Sequence, residues 1–257
     1  KLRARDFALI RALWGLRGKI LKLKKLGNKM AVKEFVKELN NRGRVEGELV
    51  KTIFYSLLTS LIVLGILYFL KFKNIDNFVS EKGFFLFFAA LSYALIAASV
   101  RQVRAYRQFP CMSGMMIGMT TGMIAGFLPG FYVASTNGMF VGSVFGMLVG
   151  ITLGIWNGKC CGVMGFMEGT MAGFMGGLMG AMTAFMLFND NLKPASIIVF
   201  LISAVILFAM NYMIYGETRE RQREKREDHF FTIVFSFVLT VVTAWLIAFG
   251  PRSAVFG

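Results

Sequence analysis

The 257-residue chain holds one histidine, three cysteines and 14 acidic residues, and each shortage removes a class of function. His229 stands alone in a polar loop, so haem or binuclear copper sites built on histidine are not expected within this chain. No HExxH string occurs, and no Ser-His-Asp set can be assembled. Cys111, Cys160 and Cys161 are too few for a disulfide scaffold, and the adjacent pair could not bridge to each other without strain. Gly158-Lys159-Cys160 is a superficial P-loop match that lacks the preceding glycine spacing and the Ser/Thr. The chain therefore reads as a non-enzyme, and ATP-driven pumping would need another polypeptide. Charge is scarce as well. Asp, Glu, Lys and Arg make up 17% of residues, against roughly 25% in soluble domains. No signal-peptide pattern is visible, and the chain opens on Lys1, which leaves its true start open.

What is present is apolar: 56% hydrophobic residues, with 27 Phe, 28 Gly and 17 Met. The missing charge leaves long runs of about 20 apolar residues, enough for an α-helix to cross about 30 Å of hydrocarbon. Inside lipid the backbone must satisfy its own hydrogen bonds, which selects helices. We place spans at 52–70, 84–100, 111–133, 138–156, 160–188, 194–215 and 230–249. The expected fold is all-α, a polytopic membrane protein of about seven transmembrane helices with a basic cytoplasmic N-terminal helical arm. Its expected parts are the arm (1–51), a first transmembrane pair (52–108), a Gly/Met-rich three-helix unit (109–188), and a last pair with a charged loop (189–257).

The net charge of +15 suggests nucleic acid at first sight, but recognition modules are absent and the charge follows the loops. With the N-terminus inside, 24 of the 29 Lys and Arg residues fall on inner segments, as the positive-inside rule requires. The expected topology is N-terminus inside and C-terminus outside. In the arm, Leu9, Leu13, Leu16, Ile20 and Leu23 recur on one helix face, spoiled by Arg17 and Lys24. A second short helix is expected at 30–39 and a turn at 40–44. Such an arm lies on anionic lipid or docks a soluble partner. The run Glu217 to Asp228 alternates in sign, as on a solvated extension of the sixth span.

The middle three spans are different material. Glycine recurs every fourth residue at 114, 118, 122, 126 and 130, and again from 138 to 162. Such columns let membrane helices approach closely, so these helices should pack backbone to backbone, within the chain or across a homo-oligomer or larger membrane complex. Fourteen of the 17 methionines lie in 112–186. In the fifth span they fall at 164, 167, 171, 175, 179, 182 and 186, one stripe along a helix. At an offset of 55 the third and fifth spans also align, Gly114, Gly118 and Gly122 with Gly169, Gly173 and Gly177.

Methionine fills irregular gaps, and glycine grooves need knobs, so packing is one reading of the stripe. Leucine fills the flanking spans, however, and methionine is preferred only where the glycines are. Thioether and thiolate are soft ligands that select Cu(I), and a ladder of weak sites suits conduction. The candidate metal ligands are Cys111, Met115, Met119, Met123, Cys160, Cys161, Met164, Met167, Glu168, Met171, Met175 and Met179. Glu168 is the one acidic residue within the spans, a functional candidate by position or a wet partner of Lys159.

Met115-xxx-Met119-xxx-Met123 and Met167-xxx-Met171-xxx-Met175-xxx-Met179 resemble the MxxxM motif of Ctr-type copper importers, which pair it with GxxxG packing. The resemblance covers about 75 residues by motif alone; this chain has more spans and no Met-rich outer tail. It also resembles uncharacterised Gly/Met-rich bacterial membrane proteins linked with copper handling. The resemblance implies Cu(I) as cargo and a prokaryotic cytoplasmic membrane as location. The alternative expectation is a non-catalytic subunit of a larger membrane complex, with the Gly/Met helices as its packing surface.

Overall fold

The computed structural model describes residues 45–70, 82–106, 110–159, 162–218 and 229–251. The arm expected over 1–51 lies outside them apart from the start of the first helix, as do Cys160, Cys161 and most of the 217–228 run. Seven helices are seen: α1 (Val45–Leu70), α2 (Gly83–Ala105), α3 (Cys111–Asn137), α4 (Met139–Gly158), α5 (Gly162–Met186), α6 (Leu192–Thr218) and α7 (His229–Phe249). Every regular element among the described residues is helical, as expected of a polytopic membrane protein. Among the described residues six helices are long and apolar enough to cross a membrane, one fewer than the seven expected. The exception is α5. Seven glycines, two threonines and Glu168 in its 25 residues dilute the apolar surface that marks the others.

From Glu48 onward the chain forms one compact unit. α2 is the central helix of its ordinary part and packs against α3, α6 and α7. Small residues make this possible: Ser92, Ala94, Ala97 and Ala98 are buried along it, with Tyr93 wholly enclosed. Near its start, Leu86 packs with Ala244 and Ile247 of α7, covered by Leu64 and Leu67 of α1. Polar side chains tie the helices where lipid offers no partner. Ser56 donates to Ser236 at 2.9 Å, joining α1 to α7. Arg101 donates to Thr52 at 2.7 Å, joining α2 to α1. At the opposite end of the bundle, Lys82 donates to the Ile247 carbonyl at 3.0 Å and Asn137 donates to the Leu246 carbonyl. Lys82 thereby satisfies a carbonyl in the last turn of α7, while Asn137 shares the Leu246 carbonyl with the Gly250 N–H.

α3 and α4 are joined by the single residue Gly138 at φ 108°, a conformation that side chains rarely adopt. One glycine thus turns the chain back on itself. Pro129 sits inside α3 and is buried. It withdraws one N–H from the ladder, a loss tolerated in membrane helices where neighbours enclose the backbone.

Candidate functional site: a glycine seam backed by methionine

The glycines of α3, α4 and α5 meet one another. A Cβ added at Gly126 would lie 2.8 Å from the Gly173 carbonyl oxygen, 2.9 Å from the Gly177 nitrogen and 3.2 Å from the Gly146 carbonyl oxygen. One at Gly150 would meet the Gly126 Cα at 2.8 Å and the carbonyl oxygens of Gly122 and Gly173 at 2.9 Å. The backbones of three helices therefore fill the space between them, and a methyl group does not fit there.

The contacts also give the register. Gly122, Gly126 and Gly130 face Gly169, Gly173 and Gly177, so α3 and α5 run parallel. Gly158, Gly154, Gly150 and Gly146 face Gly165, Gly169, Gly173 and Gly177 in turn, so α4 runs antiparallel to α5. The parallel relation of α3 and α5 was legible in the sequence. The spatial neighbours are shifted from the alignment at 55, which pairs Gly122 with Gly177. A column with glycine at every fourth position matches itself after a slip of one turn, so the sequence repeat alone cannot fix the register.

α5 has two opposite faces. Gly165, Gly169, Ala172, Gly173, Gly176, Gly177, Gly180, Ala181 and Ala184 are buried. The seven methionines, Met164, Met167, Met171, Met175, Met179, Met182 and Met186, are 46–66% exposed. Helical spacing accounts for this. At 100° per residue the methionines centre about half a turn away from the glycines. They are not knobs in the glycine grooves, because opposing backbone fills those grooves. They also do not line a route between α3, α4 and α5. They form the outer surface of the unit.

The other candidate ligands fall around this surface. Met112, Met116, Met119 and Met123 of α3 are exposed, and Met115 is half-buried. Cys111 is exposed at the first residue of α3. The backbone of Met123 lies against Gly176 and that of Phe127 against Gly180. The methionines of α3 thereby sit beside the Glu168 half of α5. Glu168 is half-buried, one turn beyond Met164 and one before Met171 on the methionine face. Cys160 and Cys161 lie outside the described residues. Among the described residues no three His, Cys, Asp or Glu side chains come together. Among the described residues, the soft donors on this surface are thioethers, with Glu168 and Cys111 beside them.

Sequence reading missed the buried polar groups of the frame. Gln102 is fully buried and donates to the Asn211 carbonyl at 3.2 Å, while Arg101 is 5% exposed. Arg104 stands 4.9 Å over the Trp156 ring, joining the ends of α2 and α4. Arg101 and Arg104 are among the 24 Lys and Arg residues that the sequence places on the inner side. Asn211, a lone amide within an apolar run, was the available signal. Comparison with protein-family models, curated proteins and solved structures finds no match for this chain.

Proposed function

We propose that this membrane protein handles a soft metal ion, Cu(I), as transported cargo on the outer thioether face of the Gly/Met unit. One observation carries the reading: seven methionines cover α5 end to end on the side opposite its packing surface. Fold stability does not account for them, since the glycine side does the packing. Lipid contact does not require them either, since α6 meets the same need with Ile198, Leu201, Ile202, Val205 and Phe208. Thioethers one turn apart give successive weak soft sites. Glu168 adds a negative charge to the same face, and Cys111 stands at the α3 end with Met112 and Met115. On this reading α5 is a seventh span, because it lies along two helices that qualify as spans. The N-terminus is then inside and the C-terminus outside a prokaryotic cytoplasmic membrane, with the basic arm on anionic lipid or a soluble partner. The chain itself is non-catalytic.

The test is Cu(I) binding by the purified protein under reducing conditions, compared with Met171→Leu plus Met175→Leu. Both residues are exposed, and Met-to-Leu swaps conserve volume, so the double variant should keep its thermal stability. Bound Cu(I) and cellular copper transport should both fall. A protein that binds no Cu(I), with copper traffic indifferent to the double variant, overturns the reading.

A second reading has its own support. The three-helix interior is closed by backbone, so α3, α4 and α5 of one chain offer no enclosed route. A non-catalytic subunit of a larger membrane complex would use the same outward face for contact. Its mark is a protein that leaves the membrane with companions and binds no metal.

A further inference from the structure

The outward face of α5 repeats every 11 residues, as the glycine face does at Gly165/Gly176 and Gly169/Gly180. Met164, Met175 and Met186 are 11 residues apart, as are Met171 and Met182, and Glu168 and Met179. Eleven residues make three turns at 3.67 residues each, so the stripe drifts little, and two such helices wrap with a right-handed twist. Both copies of a membrane protein insert the same way, and a symmetry axis along the membrane normal sets α5 parallel to α5 at equal depth. An 11-residue repeat then meets itself in register over its whole length.

We infer that the methionine face of α5 is the contact between two copies of this chain. Three observations favour a second copy over lipid. The first is composition: the outward face of α5 carries seven methionines, where the equally exposed face of α6 carries Ile, Leu, Val and Phe. The second is Glu168, half-buried on that face in the second turn. A carboxyl turned to hydrocarbon is costly, and a two-fold axis brings a second carboxyl to its own depth, so that the pair can share one proton and a hydrogen bond. The third is area. The seven methionines with Phe174 and Phe185, each about half exposed, present on the order of 900 Å² per copy, against about 800 Å² per partner in a stable interface. The contact rests on reading this face as an interaction surface, and it does not need the metal.

The experiment is disulfide trapping of the full chain in its own membranes, with tetrathionate as oxidant and a chelator to keep copper out. Cys111, Cys160 and Cys161 are first replaced by serine. Met175→Cys on the stripe is compared with Ile202→Cys on the equally exposed face of α6. Disulfides form only where Cβ atoms approach to about 4 Å, so M175C should give at least about five times more dimer than I202C. Glu168→Lys added to M175C sets two cations at the seam and should reduce the trapped dimer. Equal trapping at both positions would mean a lipid-covered face and overturns the inference. So does a product at the mass of a complex with a different protein. Unchanged thermal stability of M175C separates these outcomes from misfolding. A trapped dimer in a protein that binds no Cu(I) removes the metal reading and leaves the contact standing. Copper binding without a dimer does the reverse.

Discussion

The frame helices and the Gly/Met helices solve one problem in two ways. α1, α2, α6 and α7 are held by side chains: alanines and serines along α2, a Ser56–Ser236 hydrogen bond, and Lys82 and Asn137 on the end of α7. α3, α4 and α5 are held by backbone against backbone, with the glycines in contact and the large side chains outside. In water a core buries large apolar groups because water drives them together. In lipid that drive is missing, and close approach of backbones can replace it. The Gly/Met unit takes this to its limit, and the side chains it no longer needs for packing become available on the surface.

The sharpest way to break this comparison is to add one methyl group on each side of it. Gly126→Ala puts a carbon under 3 Å from backbone atoms of α5 and close to α4, and neither can move without the other. Overpacking costs about 1–3 kcal/mol where side chains can yield. Here only backbone faces the new group, so the upper end or beyond is expected. Unfolding in mixed detergent should show a large drop or loss of the folded protein. Gly65→Ala in α1 is the counterpart, with nothing within 4 Å of the added Cβ. There the helix gains up to about 1 kcal/mol from propensity. The same substitution should therefore act with opposite signs in the two regions. Similar losses at both would mean that glycine matters for helix formation here and not for contact.

The sequence showed this division before any coordinates. Helix positions followed from apolar runs within a few residues, the glycine spacing gave close packing, and the alternation of spans gave the parallel course of α3 and α5. Three things were beyond it. Register was one, because a four-residue glycine period is blind to a one-turn slip. The status of α5 was another. Its apolar run indicated a span, while its glycine content keeps its apolar character below that of the other six. The direction of the methionines was the third. Periodicity places Met164 to Met186 on one face and Gly165 to Gly180 on the other. It does not say whether the methionines fill grooves, line a path or lie outside; the opposing backbone of α3 and α4 fills the grooves and leaves them outside.

The smallest expected effect tests the frame's own mode of packing. Ser56 and Ser236 share a 2.9 Å hydrogen bond, and both residues are fully buried between α1 and α7. In addition, the Ser236 hydroxyl lies 3.2 Å from the Ser56 carbonyl oxygen, so removing Ser56 leaves it another acceptor. Interhelical hydrogen bonds in membranes average about 0.6 kcal/mol in double-mutant cycles, because the separated helices also find partners. Ser56→Ala, Ser236→Ala and the double variant should therefore couple by about that amount in detergent unfolding. A coupling of several kcal/mol would place the frame's stability in its polar pairs. A coupling near zero would leave its apolar and small-residue contacts as the sole counterpart to the glycine seam.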